Sequence, residues 1–376
     1  MKRVLHVQKV TGMAGSERHL LFLLPGLARH FDITFLILEA PHKPVEDYVA
    51  ALTRAGVRTE RLPIRWDGDL LCMCAMVRLM RRGAFDLVHT HLIHADVLGG
   101  VAARLAGVPV VVSTKHGYED YDRTSRAYRL AGLTARWTRK VITISDALSG
   151  KVAEVERIPT GKLTTIHYGI DCVVPGPEPS RDAVRRSLGL PPDAFAVLST
   201  GRLVPVKGYQ YLIEAVGKLR AGGSAVILLI AGDGPERAVL QAQAERLGVG
   251  DRVRFLGWRA DVSTLLAGVD AFALATLGEG FGLAILEAMA QRLPVVATRV
   301  VAVPEIVQDG QTGLLVPPRD PAALADALLA LEREPELRRR FAAAGHRRAL
   351  EHFSVARMVR DTERVYADVL GAGAAA

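Results

Sequence analysis

Short β-branched apolar runs alternate with longer amphipathic segments along almost the whole chain. RVLHVQKV (3–10), FDITFLIL (31–38), FDLVHTH (85–91), VPVVVSTKH (108–116) and KVITIS (140–145) have the length and residue types of strands. Between them, Ser16–His30, Asp69–Arg82 and Asp96–Ala106 carry apolar residues at helical spacing. The alternation stops at the proline-rich, non-periodic CVVPGPEPSRD (172–182), which predicts a linker. It then resumes with FAVLSTGRL (195–203), AVILLIAGDG (225–234), RVRFLG (252–257), VDAFALAT (269–276), LPVVAT (293–298) and GLLVPP (313–318). Repeated strand–helix alternation predicts an α/β protein with two doubly wound, parallel-sheet halves of similar size and a cleft between them. A last helical stretch, Ser354–Leu370, follows the completed second half.

A chain of 376 residues is long for one core and fits two domains. Its 49% hydrophobic and 23% charged residues are those of a globular protein. Charge changes the picture more. Residues 1–175 hold 24 Lys+Arg against 17 Asp+Glu, while the rest hold 24 against 23, so the excess sits in the first half. A basic half fits phosphates, an anionic membrane face or simple solubility; the arginines are scattered and no nucleic-acid-binding module is present. Cys72, Cys74 and Cys172 form neither a disulfide framework nor a metal spacing. The first residues are too short and interrupted for a secretory signal, and no apolar run approaches the ~20 residues of a spanning helix, so the expected location is the cytoplasm.

Candidate chemistry follows the strands. Thr11–Glu17 (TGMAGSE) lacks the three-glycine dinucleotide fingerprint, and no phosphate loop of the G-x-x-x-x-G-K-[ST] kind occurs; what remains is a glycine-bearing turn before a helix, either an anion seat or just a tight turn. GRLVPVKG (201–208) places the planar donor fork of Arg202 and the point charge of Lys207 one loop apart, which suits diphosphate oxygens and equally suits a solvated surface. GEGFGLAILEAMAQRLPVVAT (278–298) holds Glu279 and Glu287 on either side of Phe281-Gly282-Leu283. A helix starting near Phe281-Gly282 would aim its free N–H groups at an anion, with one carboxylate before it and one along it to accept sugar hydroxyls.

Taken in order, G-R-x-x-x-x-K-G (201–208), G-D-G-P (232–235) and E-G-F-G-L-x-x-x-E (279–287) resemble glycosyltransferase family 4, the retaining enzymes of GT-B fold. The resemblance implies two Rossmann-like domains facing a central cleft: residues 1–172 plus about 356–376 on the acceptor side, residues 173–355 on the nucleotide-sugar side, the C-terminal helix crossing back to the first domain. It implies that Arg202 and Lys207, following Gly201, hold the donor diphosphate. Glu279 contacts the transferred sugar, and Gly280, Phe281, Gly282 and Leu283 lie beside sugar and phosphate. Glu287 accepts the ribose hydroxyls, and the base lies near Gly257, Trp258 and Arg259. The first half matches more loosely: GMAGSE brings Gly15 near the phosphates, TKHG puts His116 beside the sugar, and HYGID (167–171) departs from the usual asparagine–glycine form while keeping Gly169 and Asp171. Glu17, His91, His94 and Tyr118 fall on the acceptor side. His89, His91 and His94 also invite reading as a metal cluster, but no acidic partner is evident and the fold implied needs no ion, so no metal or cofactor is expected beyond the co-substrate, a nucleotide-diphosphate sugar, with a UDP-sugar as the first expectation.

That assignment predicts transfer to a hydroxyl acceptor with retention. No Asp or Glu in the first half is placed as a nucleophile, so the expected path is front-face, with Arg202, Lys207 and the helix terminus meeting the charge of the leaving diphosphate. The acceptor stays open: a lipid-linked sugar, a glycan or a small molecule. YEDYDRTSRAYRLAGLTARWTRK (118–140) is basic, aromatic and amphipathic, which suits peripheral contact with an anionic membrane or an ordinary surface helix. Two competing readings share the fold: a nucleotide-sugar isomerase or epimerase, and an inactive scaffold, whose mark would be loss of Arg202, Lys207, Glu279 or Glu287.

Overall fold

A computed structural model describes residues 1–12, 15–41, 45–66, 68–117, 126–171 and 180–371. Tyr118, the first part of the 118–140 segment, most of the expected linker and Cys172 therefore lie outside the described residues, as do Met13 and Ala14.

The chain divides into two compact units, Met1–Gly169 with Val355–Ala376, and Ile170–Ser354. The first unit holds β1 (Arg3–Val10), β2 (Asp32–Glu39), β3 (Arg58–Pro63), β4 (Leu87–His91), β5 (Val110–Lys115), β6 (Lys140–Thr143) and β7 (Leu163–Thr165), ordered β3-β2-β1-β4-β5-β6-β7. The second holds β8 (Phe195–Thr200), β9 (Val226–Ala231), β10 (Val253–Gly257), β11 (Ala271–Leu274), β12 (Val295–Thr298) and β13 (Leu314–Val316), ordered β10-β9-β8-β11-β12-β13. Every strand pair described is parallel, and helices connect the strands, so the sheets are covered on both faces.

Burial explains which strands the hydrophobic pattern could find. Phe195–Thr200 and Val226–Ala231 are buried at every position, as expected of inner strands in a parallel sheet. β3 (RTERLP) and β7 (LTT) were not anticipated. Both are edge strands, mostly exposed or half-buried, and charged or polar residues there discourage pairing with other chains. The anticipated strands all form, with ends shifted by a few residues.

Alternation along β1 sorts its side chains between two cores. Leu5 and Val7 pack with Leu36, Val88, Met76 and Met80, whereas Val4 and Val10 pack with Phe35, Leu20, Leu24 and the last helix, Val355–Gly371. That helix buries Met358, Val359, Val365, Tyr366 and Val369 in the first unit's core. By parity, His6 and Gln8 on β1 and His89 and His91 on β4 face the same side as this helix. Among the described residues no helix is long and apolar enough to cross a membrane.

Candidate functional site

In the second unit the strand order reverses between β8 and β11, the place in an open α/β sheet where ligands collect beyond the carboxyl ends. Two loops leave there. The first runs Gly201-Arg202 through the short turn Pro205–Lys207 to Gly208; the second runs from Ala275 to Gly282. They are laced together: Leu277 N–H donates to the Val206 carbonyl (2.7 Å), and the Thr276 hydroxyl donates to the same oxygen (3.1 Å). Gly208 closes the first loop at φ 65°, and a Cβ there would lie 2.0 Å from the Ala275 carbonyl oxygen, so only glycine lets the loops approach this closely.

This lacing brings Lys207 Nζ to 2.8 Å from Glu279 Oε2, an ion pair with both side chains less than one-fifth exposed. Arg202 is exposed. Gly282, at φ 114°, caps the amino end of helix Leu283–Ala290, whose first N–H groups lack intrahelical partners. Phe281 is buried against Phe353, at 5.8 Å between ring centroids, and holds that end in place. Gly280 and Glu279 precede the helix, and Glu287 lies within it, half-buried. Gly257 ends β10. Trp258 beyond it is 72% exposed, and Arg259 pairs with Asp261 at 2.6 Å.

In the first unit the reversal falls between β1 and β4, and histidines crowd there. Gly15 starts helix Gly15–Leu27. Glu17 is buried and accepts from the Gln8 amide nitrogen (2.8 Å) and the Ser16 hydroxyl (3.0 Å). The helix turn also carries His19 beneath the surface, stacked on Tyr168 at 4.6 Å between centroids. Both His19 ring nitrogens and Gln8 Oε1 are buried without a hydrogen-bond partner among the described residues; such atoms are rare in proteins and mark places where a ligand hydroxyl or a water completes the bonding.

His116, just past β5, bonds His91 (Nε2 to Nδ1, 3.0 Å) and Tyr168 (2.6 Å). His91 bonds His6 at 2.9 Å, and His89 bonds Tyr366 at 2.6 Å and Thr114 at 2.7 Å. Burial drives the pKa of His6 to about 3, with the charge of His19 adding to it, and burial alone takes His19 to about 3. Burial first, then neighbouring rings, holds His89, His91 and His116 well below the ordinary value, so all five rings are neutral at pH 7. The trio His89, His91 and His94, for which no metal was expected, is not the grouping the fold makes: the ring nitrogens within 4.8 Å of one another belong to His6, His89 and His91, of which His6 and His91 bond each other, His6 also bonds Tyr366, and His89 bonds Tyr366 and Thr114. His94 sits half-buried on the first turn of helix Leu92–Ala106, whose first residue, Leu92, adopts φ 66°, a strained conformation at the end of β4.

On the other face of β5, by alternation, lies a buried ionic cluster that the sequence did not suggest. Lys115 Nζ contacts Asp96 and Glu156, each at 2.7 Å, with all three side chains at most 4% exposed. Burial lowers the lysine's pKa, but the attraction of the two carboxylates outweighs it and the net shift is upward. His6, His19, Gln8, Tyr168 and Tyr366 were also missed as site residues. For His6 and Gln8, and for His89 and His91, the signal was the two-residue period that puts polar side chains on one face of otherwise apolar strands.

Family models cover both units. One described as "Glycosyl transferases group 1" matches residues 180–348, and one described as "Glycosyltransferase Family 4" matches residues 13–174. The chain is 30% identical to a phosphatidyl-myo-inositol mannosyltransferase of Mycobacterium leprae, over 96% of this chain and 94% of that protein. It is 30% identical to an alpha-D-kanosaminyltransferase of Streptomyces kanamyceticus, over 73% and 75% of the two chains. Among solved structures, Anabaena HepE in complex with UDP and glucose superposes with a TM-score of 0.86 at 23% identity, covering 98% of this chain and 100% of that one, which shows the GT-B fold.

Proposed function

The chain belongs to glycosyltransferase family 4, and from that premise we propose that this GT-B glycosyltransferase moves a sugar from a nucleotide-diphosphate donor, a UDP-sugar, to a hydroxyl acceptor with retention of anomeric configuration. The observation that carries the reading is the meeting of Lys207, Glu279 and the amino end of helix Leu283–Ala290 at the β8/β11 reversal. Cleavage of the donor leaves a diphosphate that gains negative charge while the anomeric carbon becomes cationic. An ammonium and a helix amino end held in place by the loop hydrogen bonds stabilise that charge as it develops, with Arg202 as the second cation. A diphosphate competing for Lys207 releases Glu279 from its ion pair, and that carboxylate then accepts hydroxyls of the transferred sugar. Glu287 takes the ribose hydroxyls, the exposed face of Trp258 beside Gly257 and Arg259 lies by the base, and Gly15 and Gly201 give close backbone approach to phosphate. His116 orients the sugar; held neutral by burial, it is a poor general acid at pH 7. HepE with UDP and glucose supports the donor class.

Lys207→Ala is expected to lower turnover with a UDP-sugar by ~10²-fold or more, as does loss of other preorganised charge-stabilising donors. Near-normal kinetics in this variant, or proton NMR of the product showing an inverted linkage, refutes the assignment.

On the acceptor side, Leu130, Leu133 and Trp137 are each about half exposed and lie beside Arg136, Arg139 and Lys140, which supports peripheral contact with an anionic membrane that presents the acceptor. Co-sedimentation with liposomes should then rise with acidic-lipid content and fall with salt; binding indifferent to both removes the membrane from the proposal.

A further inference from the structure

Six hydrogen bonds join seven buried side chains of the first unit into one chain: Thr114 to His89 (2.7 Å), His89 to Tyr366 (2.6 Å), Tyr366 to His6 (3.1 Å), His6 to His91 (2.9 Å), His91 to His116 (3.0 Å) and His116 to Tyr168 (2.6 Å). Each ring uses both nitrogens, one toward each neighbour. A neutral imidazole has one donor nitrogen and one acceptor nitrogen, so every link constrains the next.

Only two proton arrangements satisfy all six bonds and also use the Tyr366 hydroxyl proton. In the first, the proton sits on Nδ1 of His6, His89, His91 and His116: Thr114 donates to His89 Nε2, His89 to Tyr366, Tyr366 to His6, His6 to His91, His91 to His116, and His116 to the Tyr168 oxygen. In the second, every bond reverses and all four rings carry the proton on Nε2, with Tyr168 donating to His116 and His89 donating to Thr114. Any mixed set either leaves two donors or two acceptors facing each other or makes the Tyr366 oxygen accept twice with its own proton unused, and Tyr366 and the three rings of His6, His89 and His91 are wholly buried.

We infer that Tyr366, His6, His89 and His91 are positioning residues that set the tautomer of His116 from the far end of this chain, and with it whether Tyr168 directs its hydroxyl proton away from the rings or toward His116. The arrangement gives the last helix, through one phenol, a hold on the side chain assigned to the transferred sugar. The link to catalysis rests on the reading of His116 given above; the coupling of tautomers does not.

Long-range nitrogen-15 to proton correlation NMR on ligand-free, histidine-labelled protein at pH 7 reads the tautomers directly. The expected result is one common tautomer for His6, His89, His91 and His116. A mixed set, or an imidazolium among them, overturns the inference. In Tyr366→Phe, which removes one oxygen and keeps the ring, His116 is expected to shift to a mixture of both tautomers, and kcat to fall by a larger factor than KM for the donor changes. Thr114→Val, at the end of the chain, is expected to shift His116 the same way and keeps the test open should the first variant fail to fold. An unchanged His116 tautomer in a folded variant overturns the inference. Absence of any UDP-sugar transfer by the unaltered protein would instead count against the proposed activity, leaving the NMR result standing.

Discussion

His6 and His19 take up a proton in the folded state only near pH 3, whereas the same side chains in an unfolded chain do so near 6.5. Between those values the unfolded state binds more protons, so the stability these rings contribute is complete above about pH 6.5 and declines as pH falls toward 3. Each ring adds about 1.4 kcal/mol per pH unit to that slope, and His89, His91 and His116 act in the same direction. Melting temperatures measured from pH 7 down to about 5 should therefore fall steeply, above most of the range where carboxylates titrate. His19→Phe, which keeps the stacking on Tyr168, should flatten the profile; an unaltered profile would show that this ring titrates normally in the fold. The Lys115 cluster has the opposite logic: its charges are retained because each has a partner, and a lone buried charge there would be far costlier than the set. Sequence spacing gave no hint of it, because Asp96, Lys115 and Glu156 are brought together by packing alone.

At the scale of elements, the loops at the β8/β11 reversal depend on close backbone approach. Gly208→Ala would put a Cβ 2.0 Å from the Ala275 carbonyl while forcing a non-glycine residue to φ 65°. The left-handed conformation alone costs roughly 1–2 kcal/mol, and relief of the clash would part the two loops. The expected outcome is a lower melting temperature together with reduced turnover, since the Lys207–Glu279 pair spans the same two loops. Turnover unchanged in a destabilised variant would separate loop closure from catalysis. Inner strands were legible because burial on both faces demands continuous apolar runs, as in VILLIA of β9. The edge strands β3 and β7 were not, because RTERLP and LTT hold few apolar residues and their side chains are exposed or half-buried, so they carry little hydrophobic signal.

At the scale of the whole molecule, the first unit is built from two distant stretches, since Val355–Ala376 belongs with Met1–Gly169. A chain ending at residue 354 would lose five core residues of that unit and the phenol joining His89 to His6. Denaturant unfolding of this truncation should show the first unit melting earlier while the second, Ile170–Ser354, keeps its own transition; a single unshifted transition would mean that the last helix contributes little. The order and type of the main elements, the α/β class and the family signature at Arg202, Lys207, Glu279 and Glu287 were all determined by the sequence itself, because apolar periodicity and local motif spacing are short-range properties of the chain. The ion pair at Lys207, the buried Lys115 cluster and the line of rings from Thr114 to Tyr168 were decided only by the tertiary structure. Their members come from strands, helices and loops far apart in sequence, and a side chain's charge, tautomer and partner are fixed by what packing places within about 3 Å of it, which no local pattern records.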